Sequence, residues 1–344
     1  MKCRSIVFIL FLGIAIGLIP GLLQAQQKLV FASWGGDLQN AQRKSHLDAF
    51  EKETGIKVIE DSTVGFGKLK AMVESKNVEW DVVDLGERHV IVGGREGLLE
   101  PLDYKIIDKS LLFPQSSREF GVASFYYTHG IAYSTRTFSV QNHPKTWAEF
   151  WDVKKFPGPR TLRDNPKDNL EFALMADGVV PNKLYPLDVD RAFRSLDKIK
   201  PHVTKWWTSG NQPAQLLTDG EVVAAGLWHG RAITVKNQGA KVDIEFNQSM
   251  LLSDWFAVPK GAKNKELAMK FIQFTCQAKQ QALFSNLITY SPANPKAFEL
   301  ISKERAAILP TSPENIKNVV PGNEDWWGTN FNTMEERWKA WILK

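Results

Sequence analysis

The alternation of short apolar runs with amphipathic segments constrains the fold of this chain more than any other feature. The run KLVFASWGG (28–36) ends in two glycines, and an amphipathic helix is predicted over DLQNAQRKSHLDAFEKETG (37–55). A second strand, IKVIED (56–61), a helix around Lys68–Ser75 and a third strand, WDVVDLG (80–86), follow. This strand–helix–strand order predicts an α/β fold with a largely parallel sheet.

The pattern continues through the rest of the chain. Strands are predicted at HGIAYST (129–135) and EVVAAGLWHG (221–230), and DIEFNQSMLLSDWFAVP (243–259) is long enough for two strands. Helices are predicted over residues 264–286 and over the terminal residues 332–344. Because no internal repeat and no long Pro/Gly linker occurs, any two lobes should be joined by strands that cross between them.

The first 25 residues differ from the rest in composition. Lys2 and Arg4 precede an uncharged apolar core, which is typical of a cleavable signal peptide over residues 1–25. An uncleaved membrane anchor is the alternative, because the apolar run is almost long enough to span a bilayer. Pro20 breaks the run near its end and favours cleavage. The remaining protein is therefore predicted to be periplasmic.

Several classes of function lack their usual sequence signals. Removing residues 1–25 lowers the formal charge from +5 to +3, since two basic side chains are lost, and no Lys/Arg tract indicates nucleic-acid binding. Cys276 is then the remaining cysteine, so no intramolecular disulfide is expected. The six histidines are scattered singly, and no metal site or other cofactor is predicted. No G-x-S-x-G or H-E-x-x-H motif indicates an enzyme.

Aromatic and charged side chains are concentrated where the predicted strands end. In open α/β sheets, ligands bind beyond the carboxyl ends of the strands. Aromatic faces hold alkylammonium groups, and a carboxylate supplies the opposite charge. The same tryptophans would also suit lobe packing, because each buries a large area. The candidate binding residues at strand ends are Trp34, Glu87, Arg88, Trp228, Arg231, Asp254 and Tyr290.

Two carboxylates in apolar strands need an explanation. Asp84 has a simple one, because Asp81 and Asp84 flank an apolar pair and are predicted to begin and end a strand. Asp254 lies inside LLSDWFAVP (251–259), where an unpaired carboxylate would cost stability. Its partner is predicted to be either an internal Arg or Lys or the amine of a bound ligand.

Several motifs together resemble a known family. They are KLVFASWGG, EWDVVDLGERHV with GLLEPLD, PKTWAEFWD, GEVVAAGLWHGRA, DWFAVPKGAKNKELAMKFIQF and YSPANPKAF. From about residue 28 to 300 the chain resembles bacterial extracellular solute-binding proteins of ABC importers, of the spermidine/putrescine-binding type. The resemblance implies a non-enzymatic monomer that binds a small amine or amino-acid-like solute and delivers it to the membrane subunits of an ABC permease.

The resemblance also implies a fold and a domain arrangement. The fold is periplasmic binding protein-like II, with two α/β lobes joined by two crossing hinge strands and the ligand cleft between them. Lobe 1 would comprise residues 26–128 plus 256–344, and lobe 2 residues 129–255. The crossings would lie near SFYYTHGIAYS and MLLSDWFAV.

Site residues are implied where the motifs match. Trp34 matches a first-strand aromatic of the cleft, Trp228 the aromatic of the W-x-G turn, and Tyr290 a late aromatic. Asp254 matches a carboxylate that pairs with an ammonium group in polyamine binders. Asp168 falls near a second acidic position.

The chain departs from the polyamine-binding pattern at two arginines. Arg88 follows the DVVDLG strand next to Glu87, and Arg231 follows the W-x-G turn. A guanidinium group repels a polyamine but binds a carboxylate bidentately. These arginines favour a ligand with one amine and one acid, such as γ-aminobutyrate, over putrescine or spermidine. Alternatively, they pair with Glu87 or Glu221, or point to solvent.

Two other functions remain open from the residues. A ferric-ion binder of the same fold would use Tyr126 and Tyr127 as phenolate ligands. A secreted hydrolase would use two of the acidic residues at a defined separation.

Overall fold

The computed structural model describes residues 27–344, so the predicted signal peptide, residues 1–25, lies outside the described residues. The strands are β1 Lys28–Ala32, β2 Lys57–Asp61, β3 Val82–Gly86, β4 Ser117–Arg118, β5 Gly121–Ser134, β6 Arg160–Arg163, β7 Val203–Trp207, β8 Ala224–Trp228, β9 Val242–Ala257, β10 Ser291–Pro292 and β11 Val320–Pro321. The α-helices are α1 Gly36–Gln42, α2 Asp48–Thr54, α3 Phe66–Glu74, α4 Glu87–Arg95, α5 Trp147–Trp151, α6 Asn169–Ala176, α7 Val189–Ile199, α8 Gln212–Asp219, α9 His229–Asn237, α10 Lys265–Thr275, α11 Ala278–Leu287, α12 Lys303–Ala306 and α13 Glu324–Ile342.

One continuous sheet runs through the described residues, with the main strand order β2-β1-β3-β9-β5-β8-β6-β7. The strands at each end, β2-β1-β3 and β8-β6-β7, pair in parallel, whereas β9 and β5 pair antiparallel to their neighbours. Helices connect successive parallel strands, as the amphipathic segments of the sequence predicted. The α/β class is therefore confirmed.

The two central strands, β5 and β9, are the longest and pair along most of their length. They contain the segments that were predicted to cross between lobes. The segment 243–259, which is long enough for two strands, lies mostly in one strand, β9, of 16 residues. Positive φ at Gln248 and a register shift at His129/Ile131 mark the point where the pairing changes. The predicted lobe boundaries at 128 and 255 fall inside these strands and stay a prediction.

The strands end where a ligand cleft would lie. Gly86, the last residue of β3, pairs with Asp254 of β9. Trp228, the last residue of β8, pairs with His129 of β5. Because Phe125 of β5 also pairs with Asp254, the carboxyl ends of the two parallel halves approach the same short stretch of the central strands from opposite sides.

Two large hydrophobic clusters lie on either side of this stretch. The first joins the β1-β3 half to α10 and includes Phe31, Trp255 and Phe271. The second joins α5, α6 and α7 to the C-terminal helix α13, whose Trp338 is 2% exposed. Helix α13 also packs along α4, where Arg95 pairs with Asp325 at 3.2 Å. The C-terminal helix therefore contacts elements of both halves.

The segment 37–55 is helical as predicted, but it is not one uniform α-helix. A π-helical segment, Arg43–Leu47, separates α1 from α2. Helix α2 ends where Gly55 adopts the left-handed conformation at φ 73°, which glycine accepts without a Cβ clash. Within residues 27–344 no helix is both long enough and apolar enough to cross a membrane.

Candidate ligand-binding site

A cavity of about 1170 Å³ lies between the two halves of the sheet at the carboxyl ends of β3 and β8. Both halves contribute to its wall, as expected for a ligand site in an α/β protein. All of the candidate residues named from the sequence line it: Trp34, Glu87, Arg88, Asp168, Trp228, Arg231, Asp254 and Tyr290. Their placement together is observed, and their role in binding stays a prediction.

Asp254 lies in β9 opposite Gly86, the last residue of β3. A Cβ on Gly86 would lie 3.8 Å from Asp254 Oδ1. The Tyr127 hydroxyl donates to the same oxygen at 3.4 Å. Burial raises the pKa of Asp254 to about 6, while Tyr127 and Trp34 oppose the rise. Within residues 27–344 no Lys or Arg forms an ion pair with Asp254, so the internal partner considered from the sequence is not observed.

Aromatic rings form the wall beside Asp254. Tyr290 stacks on Phe125 with ring centroids 4.9 Å apart, and Tyr127 lies 5.7 Å from Tyr290. Trp34 is 43% exposed at the mouth of the cleft. Gly230 of α9 approaches Tyr290 from the other half, and a Cβ there would lie 3.1 Å from the ring. The aromatic wall therefore reaches across the cleft.

Two guanidinium groups reach the cleft from the β8-β6-β7 half of the sheet and the helix that follows β8. Arg163, at the carboxyl end of β6, lies 5.0 Å from the Trp228 ring centroid and 5.7 Å from that of Trp207. Arg231 lies in the first turn of α9, and its Nε is buried without a hydrogen-bond partner. Among the residues that the structure describes, neither guanidinium group pairs with a carboxylate. The suggested pairing of Arg231 with Glu221 or Glu87 is therefore wrong.

Arg163 was missed in the sequence. It ends the short strand RTLR, and an arginine at the carboxyl end of a parallel strand was the signal that could have identified it. The segment was not recognised as a strand, because four residues give little periodicity to distinguish a strand from a loop. Phe125 and Tyr127 were also not assigned to the ligand cleft.

Glu87 and Arg88 both line the cleft but have other partners. Glu87 pairs with Arg118 at 2.8 Å and accepts a hydrogen bond from Ser253 at 2.9 Å. Arg88 Nη2 lies 2.8 Å from His89 Nε2. Its guanidinium carbon also lies 4.0 Å from the ring centroid of Phe331 in α13. The suggested Glu87–Arg88 pair is therefore wrong, and both groups are held in place within the wall.

Asp168 is a buried residue in the polar part of the cleft wall. It precedes α6 at a φ of 72°, which is unusual for a residue other than glycine. Its Oδ2 lies 2.8 Å from His129 Nδ1, whereas its Oδ1 has no partner. Lys167 beside it pairs with Glu324 of α13 at 2.8 Å. Burial raises the pKa of the neighbouring Glu171 to about 7.

The two tyrosines of the ferric-ion hypothesis do not converge. They are neighbours in β5, so their side chains point to opposite faces of the sheet. The Tyr126 hydroxyl lies 2.8 Å from Ser116 Oγ in the first core cluster, whereas Tyr127 faces the cleft. Within residues 27–344 no group of His, Cys, Asp or Glu is arranged to hold a metal ion. This geometry does not support a phenolate iron site.

Comparison with known proteins gives consistent matches. A family model described as bacterial extracellular solute-binding protein matches residues 46–311. A γ-aminobutyric acid-binding protein of Pseudomonas aeruginosa is 36% identical over 93% of both chains. A spermidine/putrescine-binding periplasmic protein of Haemophilus influenzae is 30% identical, covering 79% of this chain and 78% of its own. An ABC transporter substrate-binding protein from Bradyrhizobium japonicum is similar in structure, with a TM-score of 0.88 and 43% identity over 92% of this chain and 99% of its own.

Proposed function

The chain belongs to the family of bacterial extracellular solute-binding proteins, and from this premise we propose that it binds a zwitterion with a terminal amine and a carboxylate. The candidate ligand of this class is γ-aminobutyrate. The protein would act in the periplasm and deliver the solute to the membrane subunits of an ABC importer. The relative of the same stated specificity, in Pseudomonas aeruginosa, supports this proposal.

One observation carries the choice of ligand class: free charges of opposite sign face the same cleft. Asp254 is a buried carboxylate without a cationic partner among the described residues. Arg163 and Arg231 contribute guanidinium groups without anionic partners there. A zwitterion would satisfy both sides, because the carboxylate takes the ammonium group and the guanidinium groups take the acid.

The aromatic residues suit the amine end. An alkylammonium group beside Asp254 would lie against Tyr127 and Tyr290, whose ring faces carry partial negative charge. Burial raises the pKa of Tyr290, the charge of Arg231 opposes this rise and the charge of Asp254 adds to it, so Tyr290 lies close to both charged ends of the site. A short alkyl chain placed along Tyr290 would therefore connect the two charged ends.

A polyamine is the second candidate ligand. The unpartnered Oδ1 of Asp168 favours it, because this oxygen could accept a hydrogen bond from a second amine. The spermidine/putrescine-binding relative also supports it. Against it, the hydrogen bond with His129 and the charges of nearby Lys167 and Arg163 hold the pKa of Asp168 below its usual range despite burial. A second ammonium group would approach two fixed cations, which repel it.

The ligand would be captured by closure of two lobes, because the cleft lies between them. An open form binds the ligand mainly through one lobe, and movement about β5 and β9 brings the other lobe over it. Closure would remove water from the charged groups and so strengthen their interactions with the ligand. Reopening at the permease would release the solute unchanged.

A titration of the purified protein tests this proposal. γ-Aminobutyrate, putrescine and spermidine are compared by calorimetry and by the fluorescence of the 12 tryptophans. We expect γ-aminobutyrate to bind most tightly, and Asp254→Asn to weaken its binding by at least about 100-fold. The melting temperature of the unliganded variant should change little. Tighter binding of putrescine than of γ-aminobutyrate would contradict the proposal.

A further inference from the structure

A second buried carboxylate lies behind the proposed ammonium site. Asp84 pairs with Phe256 across β3 and β9, and Gly86 pairs with Asp254. Asp84 and Asp254 are therefore diagonal neighbours on one face of the sheet. Asp84 is 0% exposed and Asp254 is 8% exposed, so the two carboxylates form a buried pair of which only Asp254 lines the cleft. From the sequence alone, Asp84 was predicted only to end a strand.

The hydrogen bonds of Asp84 distinguish its two oxygens. Gln42 Nε2 donates to Oδ2 at 2.6 Å, and Ser33 Oγ lies 3.4 Å from the same atom. Oδ1 is buried and has no partner among the described residues. Ser33 donates its hydroxyl proton to Gln42 Oε1 at 2.6 Å, and Gln42 in turn donates to Oδ2, so a proton on the Asp84 carboxyl group belongs on Oδ1.

Few groups near the pair could neutralise a second charge. From β5, Ser124 donates to the backbone carbonyl of Asp254 at 2.8 Å and also lies against the Asp84 carboxyl group, where it opposes the rise of the Asp84 pKa. Tyr127 contacts the carboxylate of Asp254. Tyr290 is close enough for the charges of both carboxylates to affect its pKa. The charge of Lys167 opposes the rise of the Asp254 pKa, but Lys167 already pairs with Glu324. Within residues 27–344 no Lys, Arg or His forms an ion pair with either carboxylate.

Two ionised carboxylates in this environment would be costly. Each buried charge lacks water, and the two charges repel each other. Burial, followed by the charge of Asp254, raises the pKa of Asp84 well above its ordinary value, whereas that of Asp254 is raised to about 6. The more buried member of the pair should therefore keep its proton at neutral pH.

We propose that Asp84 is a positioning residue that stays protonated behind Asp254, so that the pair offers one negative charge to one ammonium group. This inference rests on the proposed function of the cleft and adds a residue to it. The neutral carboxyl group fixes Gln42 and Ser33 behind the site without adding charge. It would thereby match the pair to the single amine of a zwitterion.

Matched variants test the protonation state. Asp84→Asn replaces a neutral acid by a neutral amide of the same shape, and Asn keeps an acceptor oxygen for Gln42. Asp81→Asn is the control, because Asp81 is also a buried carboxyl group but does not line the cleft. Asp81 lies just before β3 and accepts a hydrogen bond from Val30 N at 2.8 Å. Dissociation constants for γ-aminobutyrate, and for putrescine if the wild type prefers it, are measured between pH 5 and pH 9. We expect Asp84→Asn to stay within about threefold of the wild type at pH 7, unlike the 100-fold loss for Asp254→Asn.

A readout without ligand separates this inference from the proposed function. The folded protein holds a proton on Asp84 that the unfolded chain releases near pH 4, so the contribution of Asp84 to wild-type stability falls as the pH rises above 4. Asp84→Asn lacks this fall, and its melting temperature relative to the wild type should increase with pH, whereas Asp81→Asn should not show this trend. The infrared difference spectrum of the wild type minus Asp84→Asn at pH 7 should contain a protonated carboxylic acid band, because the contribution of Glu171, whose pKa is about 7, is common to both proteins and cancels.

Specific outcomes would overturn the inference. If Asp84→Asn loses as much affinity as Asp254→Asn, then Asp84 is ionised and acts directly on the ligand. The absence of the infrared band in the wild type would also overturn it, even if the variant does not fold. Failure of the wild type to bind any of the amines would instead refute the proposed function, and the stability and infrared measurements would still decide the state of Asp84.

Discussion

Arg163 offers a sharp test of the ligand class, because its substitution should weaken the binding of γ-aminobutyrate but not that of putrescine. Its guanidinium group faces the cleft over Trp228 at 5.0 Å and makes no hydrogen bond within the described residues. Replacement by methionine removes the charge but keeps an unbranched apolar side chain against the indole. The variant should therefore fold and melt close to the wild-type temperature.

The magnitude follows from the interaction that is lost. A hydrogen bond to a charged group contributes about 1.5–3 kcal/mol, which corresponds to a change of about 10- to 100-fold in the dissociation constant. We expect Arg163→Met to weaken γ-aminobutyrate binding by this factor. Binding of putrescine should be unchanged or tighter, because a like charge has been removed. Arg163→Lys keeps the charge but not the planar fork, so it should give an intermediate loss for γ-aminobutyrate.

Calorimetry of the three proteins with both ligands, at one salt concentration, measures these effects. An unchanged affinity of Arg163→Met for γ-aminobutyrate would show that Arg163 does not bind the acid. Equal weakening of both ligands would show that the substitution disturbs the cleft as a whole. Either result would refute the assignment of Arg163 to a carboxylate.

Three further expectations concern pH, stability and reactivity. Burial raises the pKa of Asp254 to about 6, and only its ionised form attracts an ammonium group. Ligand affinity, followed by tryptophan fluorescence, should therefore be constant above pH 7 and fall below pH 6, with a slope that approaches tenfold per pH unit. Constant affinity down to pH 5 would contradict this expectation. Trp338→Ala should lower the free energy of unfolding in urea by about 3–5 kcal/mol, because this buried side chain of α13 packs against Phe193 of α7. The ligand affinity should stay within about threefold of the wild type. A loss of stability below about 1 kcal/mol would argue against that packing. Burial raises the pKa of Cys276 to about 12, so the native protein should not react with a maleimide that labels the urea-unfolded chain, and rapid native labelling would be the opposite result.

Much of the fold could be predicted from the sequence, because its signals are local. The strands around Val82–Gly86 and Ala224–Trp228 are apolar runs, and Gly55 and Gly220 end helices in the left-handed conformation. The order of strands and helices indicates an α/β fold without any knowledge of contacts. Short elements gave no such signal, and β6 was missed for that reason.

The sequence also determined which residues are candidates for the cleft. Trp228 was named because it ends a predicted strand, and all of the named residues line one cavity. Residue type and position at a strand end are local properties, and the carboxyl ends of parallel strands lie at one edge of a sheet. Their convergence could therefore be expected before any contact was known.

Only the tertiary structure decided which of these charges are free. Glu87 is paired with Arg118, 31 residues along the chain, whereas Asp254 has no cationic partner among the described residues. Asp84 is a strand residue in the sequence, but it becomes the neighbour of Asp254 once β3 pairs with β9. Ion pairs and burial depend on contacts between distant segments, and these contacts set both the pKa of a carboxyl group and its availability to a ligand.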